Sequence, residues 1–254
     1  MRPIKKEREK IYIYGKHALE EALINTPWAV KKAFLSFDAN DLKLRELLKK
    51  HNVLVTAMKG KEADRMVGQE TAHQGVIAIL DPALLLVNFN DFTDKLKPTA
   101  DTMLVLLDEL TDPHNVGAII RSAAAFGASG ILMPFHNQAP ITGAVVKTSA
   151  GMVFRVPIVS IGNVNFTVDK LKEMGFKTYA LTMQGAKDVS TEIFDEPALF
   201  IVGNEGKGIR QKTMERCDVS LRIPMNPRCE SLNASVSAAV VLYQWSAKHA
   251  KALK

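Results

Sequence analysis

Five short apolar runs in the second half of the chain constrain its fold more than any other feature. They lie at 103–108, 130–133, 176–182, 198–203 and 219–224, each bounded by turn-forming or charged residues. A strand with one face in water alternates apolar and polar residues, whereas a nearly continuous apolar run belongs to a strand covered on both faces. Between the runs, apolar residues recur at helical spacing over 116–126, 140–150, 164–174, 208–216 and 233–249. Strands alternating with helices in this way give an α/β domain built on a parallel sheet. By periodicity alone it is a doubly wound domain.

The first half reads as a smaller α/β unit. Helical spacing covers Lys16–Ile24, Asp41–Lys50 with Asp41 as a candidate N-cap, and Lys61–Met66; strands fall at Val30–Leu35, Val53–Thr56 and Gly75–Leu80. The expected arrangement is a small α/β/α sandwich. Prolines at Pro82 and Pro98 interrupt pairing. The chain is therefore divided into a domain at 1–80, a linker at 81–101 and a domain at 102–254. Within the linker, Ala83–Val87 is apolar enough to pack on a neighbour.

Composition excludes several classes. With 254 residues, 47% of them hydrophobic, the chain can bury the core of one large or two modest domains. Cys217 and Cys229 form no C-x-x-C pair, which argues against a zinc site or disulfide framework and fits a reducing compartment. The six histidines form no ligand-spaced cluster, so no metal is expected. No apolar leader follows the charged N-terminus, and no uncharged apolar run approaches the roughly 18 residues of a membrane span. A cytoplasmic setting with no membrane partner is the expectation. Of the net charge of +6, residues 1–80 carry +5, which suggests where a polyanion is held, although a merely solvated basic surface gives the same count.

The chemistry gathers in three polar islands, each at the end of an apolar run. The first is Leu107-Asp-Glu-Leu-Thr-Asp-Pro-His-Asn-Val-Gly-Ala-Ile-Ile-Arg121-Ser122; the second is Leu199-Phe-Ile-Val-Gly-Asn-Glu-Gly-Lys-Gly-Ile209. The third is Leu221-Arg-Ile-Pro-Met-Asn-Pro-Arg-Cys-Glu-Ser-Leu-Asn-Ala-Ser235. Neither G-x-G-x-x-G nor G-x-x-x-x-G-K-[ST] occurs, which disfavours a Rossmann dinucleotide site and a P-loop. The glycines Gly203, Gly206 and Gly208 mark a tight turn after a strand, where backbone can approach a ligand and offer N–H donors. Such turns are common, but Glu205 at the centre of this one can hold a ribose or a cationic group. Asn115 and Ser231 each stand where a helix starts, and each reads as an N-cap. Arg121 lies between Ile119-Ile120 and Ala123-Ala124-Ala125, and an arginine on an apolar face needs a phosphate, carboxylate or ligand as partner.

In order and in residues, the three islands resemble the three motifs of the SpoU branch of the SPOUT methyltransferases, almost without interruption over 103–245. Tyr14-Gly-Lys-His-Ala-Leu-Glu-Glu-Ala-Leu23 and His73-Gln-Gly-Val-Ile-Ala78 resemble the start and end of the ribosomal-protein-like RNA-binding domain that precedes many SpoU catalytic domains. The resemblance implies a C-terminal trefoil knot, S-adenosylmethionine as methyl donor, and transfer to a ribose 2′-hydroxyl of RNA. It implies ribosomal RNA, with a guanosine of the large subunit as the target, in preference to tRNA, and a homodimer. Residues matching catalytic positions are Asn115, Arg121, Glu205, Ser231 and Asn233. Those matching the donor pocket are Gly203, Ile223 and Leu232, to which strand-end position adds Leu181, Thr182 and Gly208. The family's first motif usually reads Asn-Pro-x-Asn, whereas Asp112-Pro113-His114-Asn115 stands here. Two other readings stay open: an RNA-binding assembly factor without catalysis, and a small-molecule enzyme that leaves the basic first domain without a purpose.

Overall fold

The computed structural model describes residues 10–37, 39, 41–58, 62–68, 71–184 and 187–254. The basic first nine residues, and Lys61 at which the expected third helix starts, lie outside the described residues. The chain forms two compact units, Met1–Leu86 with Ile141–Arg155, and Val87–Pro140 with Val156–Lys254.

In the first unit, strands β1 (Ile11–Tyr14), β2 (Val30–Ser36), β3 (Leu54–Met58) and β4 (Val76–Leu80) form a sheet in the order β1-β4-β2-β3. Its helices are α1 (Lys16–Asn25), α2 (Leu42–Lys50) and α3 (Glu62–Val67). Asp41 caps α2 as expected, its Oδ1 accepting from the Leu44 N–H at 2.9 Å. Leu44 and Leu48 bury one face of α2, leaving Lys43, Arg45, Lys49 and Lys50 exposed. Strand β1 goes unrecognised by spacing, because its four residues emerge directly from a charged run.

A later piece of chain completes this unit. The segment around α6 (Gly143–Thr148) lies against β1, and a Cβ at Gly143 would come within 2.4 Å of the Tyr12 carbonyl oxygen. Gly151, at φ +79°, leaves room for the Glu21 side chain, whose Cγ would stand 2.8 Å from a Cβ there. Arg155 then donates from Nε and Nη2 to the two oxygens of buried Glu21 at 2.6 and 2.7 Å. This two-pronged pair holds the Glu21 carboxyl below its ordinary range.

The second unit carries the expected parallel sheet. Its elements are β5 (Leu86–Asn88), α4 (Phe89–Thr93), β6 (Met103–Asp108), α5 (Pro113–Ala125), β7 (Gly130–Pro134), β8 (Ile158–Ile161) and α7 (Val164–Glu173). They continue with β9 (Lys177–Leu181), β10 (Lys187–Asp188), β11 (Ala198–Gly203), α8 (Gln211–Met214), β12 (Val219–Arg222) and α9 (Ala234–Ser246). Strand order is β10-β12-β9-β11-β6-β7-β8-β5, and β6 and β11 are buried along their whole length at its centre. Leu104, Leu106, Leu132, Leu199 and Ile201 pack with Val164, Val168 and Leu171 of α7 on one face. Each such buried side chain contributes roughly 1.5–3 kcal/mol. Helices α5 and α9 pack on each other, and Val116 and Ile120 of α5 and Val241 and Trp245 of α9 are buried.

Two expectations need correction. The stretch 208–216 is helical only over Gln211–Met214, because Gly208 takes φ +69° to close a turn first. Strand β8, Ile158–Ile161 after Pro157, is an addition to the five expected strands of this unit, as are the short β5 and β10. Among the described residues, no helix is long and apolar enough to cross a membrane.

Candidate active site

Three loops meet at the carboxyl ends of β6, β11 and β12, where ligands gather in parallel sheets. Helix α5 is capped by Asp112, whose Oδ1 accepts from the His114 N–H at 2.8 Å, with Pro113 in the first turn. Asn115 is therefore not the cap that its position suggests. It is the third residue of the helix and is buried. Helix α9 is capped by Asn233 rather than Ser231: Asn233 Oδ1 accepts from the backbone N–H of Ser235 at 2.8 Å and of Val236 at 3.3 Å. Both shifts have one cause. A helix takes as cap whichever Asp or Asn stands immediately before its first turn, and spacing alone does not fix that residue.

These two corrections create the site's central feature. With its oxygen committed to the helix start, Asn233 can only turn Nδ2 outward, and it donates to Asn115 Oδ1 at 2.9 Å. Asn115 in turn donates from Nδ2 to Glu205 Oε1 at 2.9 Å. A directional hydrogen-bonded chain Asn233–Asn115–Glu205 thus joins all three sequence islands and ends on a carboxylate.

The loop bearing Glu205 is a closed turn. Asn204 and Gly208 exchange backbone bonds at 3.0 and 2.9 Å, and Asn204 Oδ1 accepts from the N–H groups of Gly206 and Lys207 at 3.0 and 3.1 Å. Those amides are occupied, so they are not open donors for a ligand. A Cβ at Gly203 would stand 2.4 Å from backbone atoms of Gly208 and Ile209. The close approach that demands glycine here is made by the returning loop itself.

A second anchor escapes sequence reading. Asp108, fully buried at the end of β6, takes Arg210 Nη2 at 2.6 Å and Nε at 2.9 Å, and its Oδ2 accepts from the Arg210 N–H at 3.2 Å. Glu109 reaches Arg210 Nη1 at 3.2 Å, and its carbonyl accepts from Asn204 Nδ2 at 2.8 Å. An acidic pair directly after an uncharged buried strand signals that a cation must come to it. The identity of that cation, about a hundred residues away, leaves no local trace.

Beside this chain lies a cleft of about 590 Å³. Leu181, Thr182, Gly203, Gly208, Ile223 and Leu232 all line it, together with Glu205, Ser231 and Asn233. Met183, Met225 and Glu230 line it too and were not anticipated. Arg121 stands apart from the lining. It does not interrupt the apolar face of α5, which runs through Val116, Ile119, Ile120 and Ala123; it is exposed, and no carboxylate among the described residues pairs with it. Among the described residues no group of His, Cys, Asp or Glu is arranged to hold a metal.

The fold and cleft define an α/β enzyme with a small-molecule site at the carboxyl ends of a parallel sheet. The chain belongs to the SpoU rRNA Methylase family, whose pattern matches residues 102–243; the pattern described as RNA 2'-O ribose methyltransferase substrate binding matches residues 12–85. It is 33% identical to the 23S rRNA (guanosine-2'-O-)-methyltransferase RlmB of Neisseria meningitidis serogroup B, over 91% of this chain and 92% of that protein. It is 30% identical to a putative TrmH family tRNA/rRNA methyltransferase of Staphylococcus haemolyticus, over 93% and 95% of the two chains. The SpoU methyltransferase AviRb from Streptomyces viridochromogenes, solved in complex with AdoMet, superposes with a TM-score of 0.81 at 26% identity, over 95% of this chain and 91% of that one. The protein is an S-adenosylmethionine-dependent RNA ribose-2′-O-methyltransferase.

Proposed function

We propose that the chain methylates the ribose 2′-oxygen of a guanosine in 23S rRNA. The chemistry rests on one observation, the Asn233–Asn115–Glu205 chain at the edge of the cleft. The choice of RNA rests on relatives named as 23S rRNA guanosine-2'-O-methyltransferases in Neisseria meningitidis and Pseudomonas syringae, aligned over nearly the whole chain. The cleft suits the donor: its volume falls within the few hundred to about 1,000 Å³ of small-molecule sites, and its lining mixes apolar side chains with polar and charged ones, as a donor that is part apolar and part zwitterionic requires. S-adenosylmethionine bound there supplies a methyl group activated by its positively charged sulfur.

The remaining work falls to the chain's own residues. Leu181, Ile223 and Leu232 cover apolar surface, while the Gly203–Gly208 turn forms one wall. Glu205, its orientation set by Asn115, presents a carboxylate to a ribose hydroxyl or a cationic group, with Ser231 and Asn233 beside it. The Arg121 guanidinium is a planar fork of donors with no acceptor, so its role is to hold phosphate and steer the 2′-oxygen rather than to remove a proton. The first unit, with exposed Lys43, Arg45, Lys49 and Lys50 on α2, supplies affinity for the RNA backbone. Mapping 2′-O-methylation in 23S rRNA and tRNA from cells with and without the gene tests the substrate. Loss of one 23S guanosine mark supports the reading; loss of a tRNA mark with 23S unchanged replaces it.

The working form is a homodimer. Ala238, on the small-residue stretch of α9, is buried within the subunit, while Val236, Val240 and Tyr243 form an exposed apolar stripe at helical spacing. Val240→Glu should yield monomers in sedimentation at micromolar concentration. A wild-type chain that sediments as a fully active monomer would remove the dimer.

A further inference from the structure

We propose that Phe135 is a stacking platform for an unpaired base of the RNA substrate, set in the same rigid rim as the donor cleft. Phe135 follows β7, and the residue is 64% exposed. Register locates it: Gly203 pairs with Asp108 across β11 and β6, and Leu106 pairs with Leu132 across β6 and β7. Phe135 therefore lies two strand spacings, about 10 Å, from the start of the Glu205 loop. A ribose presented to the cleft carries its neighbouring nucleotides over this part of the rim.

The segment is held to the site's own loops. The Phe135 N–H donates to the Ile161 carbonyl at 3.1 Å and the Ala139 N–H to the Leu110 carbonyl at 2.8 Å. The Leu110 N–H donates to Gln138 Oε1 at 2.9 Å, and Asn137 Nδ2 donates to Glu109 Oε1 at 3.2 Å. Glu109 is the residue already tied to Asn204 and Arg210. Glu109 and Asn137 both hold left-handed backbone, at φ +62° and +56°, a conformation that persists only where its surroundings impose it. An aromatic ring left bare on a segment fastened this firmly loses little freedom when a base covers it. Unpaired RNA bases are bound by stacking on such rings, whatever their identity. Two other aromatics of this unit are also largely exposed among the described residues, but Phe166 lies in the first turn of α7, bonded to its own cap Asn163, and Tyr243 meets Phe126 beside α9.

The proposal rests on RNA as the substrate but not on which RNA is methylated. The test uses the full chain and a single-stranded RNA oligonucleotide carrying 2-aminopurine, whose fluorescence falls on stacking. Wild-type protein and Phe135→Trp should quench it. Phe135→Ala should bind about 5- to 100-fold more weakly, the range of one lost stack, and leave quenching largely abolished, with calorimetric affinity for S-adenosylmethionine unchanged. Equal quenching by wild type and Phe135→Ala would overturn the proposal, as would full rescue by Phe135→Leu, which restores apolar bulk without a π face. A change in oligomeric state on Phe135→Ala would overturn it in favour of a contact between copies of the chain. Failure of the 23S assignment would appear instead as an unmarked 23S rRNA with wild-type quenching intact.

Discussion

At the scale of single residues, the site depends on which amide points where. Asn233 spends its oxygen on the start of α9, and this forces the donor direction through Asn115 onto Glu205. Asn115→Asp replaces the donating amide with a carboxylate facing another carboxylate. Losing a hydrogen bond to a charged group, about 1.5–3 kcal/mol, corresponds to roughly a 10- to 100-fold fall in transfer rate. Donor affinity measured by calorimetry should change only a few-fold, since Asn115 is not part of the cleft wall. Gly203→Val should act differently: its side chain meets Gly208 and Ile209 at 2.4 Å, so the turn itself must open. Donor affinity should then collapse together with transfer; wild-type affinity in that variant would contradict the closed-turn account. All three islands were legible in the sequence, because each follows an apolar run and together, in order and in residues, they resemble the three motifs of one family. The links between them were not legible, because a side-chain bond across about a hundred residues has no periodicity.

Among the elements, the central strands β6 and β11 stood out in the sequence because both faces of each are buried. Strands β1 and β8 are four-residue runs rich in β-branched and aromatic residues, Ile-Tyr-Ile-Tyr and Ile-Val-Ser-Ile, a composition that suits strands although the spacing passes over both. Helix α6 was equally visible, but not its partner: residues 141–155 close the first unit through Gly143, Gly151 and the Arg155–Glu21 pair. The two fully or largely shape-conserving probes of that contact are Glu21→Gln and its pH dependence. Glu21 is held below its ordinary value of 4.5, chiefly by the hydrogen bonds from Arg155. Its stabilisation is therefore complete above that value and is lost as pH falls through the lower, folded-state one. Glu21→Gln should cost about 1–3 kcal/mol at neutral pH. The difference from wild type should shrink as the solution is acidified below pH 4.5. Trp28 lies in this unit and Trp245 in the other, so denaturation followed by fluorescence in a Trp245→Phe background reads the first unit separately. A pH-independent difference would show that the pair does not carry the contact.

For the whole molecule, charge and chemistry are divided along the chain. Residues 1–80 hold +5 of the +6 net charge, whereas the donor cleft is lined by residues from Leu181 onward. Removing residues 1–80 would also strip the partners of 141–155, so surface substitutions make the cleaner test. Replacing Arg45, Lys49 and Lys50 together with glutamine should weaken RNA binding and lower the slope of log affinity against log salt by about 2, at roughly 0.7 per lost phosphate contact on single strands. Donor affinity should be unaffected. An unchanged slope would move the RNA path away from α2.

The most direct test is chemical. Purified full-length protein is incubated with S-adenosylmethionine labelled in its methyl group and with 23S rRNA from cells lacking the gene. The RNA is then digested to nucleosides and the labelled product identified by mass. The label should be found on the ribose of one guanosine, as 2′-O-methylguanosine, and should be lost with Arg121→Ala although that variant still binds the donor. Label on a base, or full transfer by Arg121→Ala, would contradict the account.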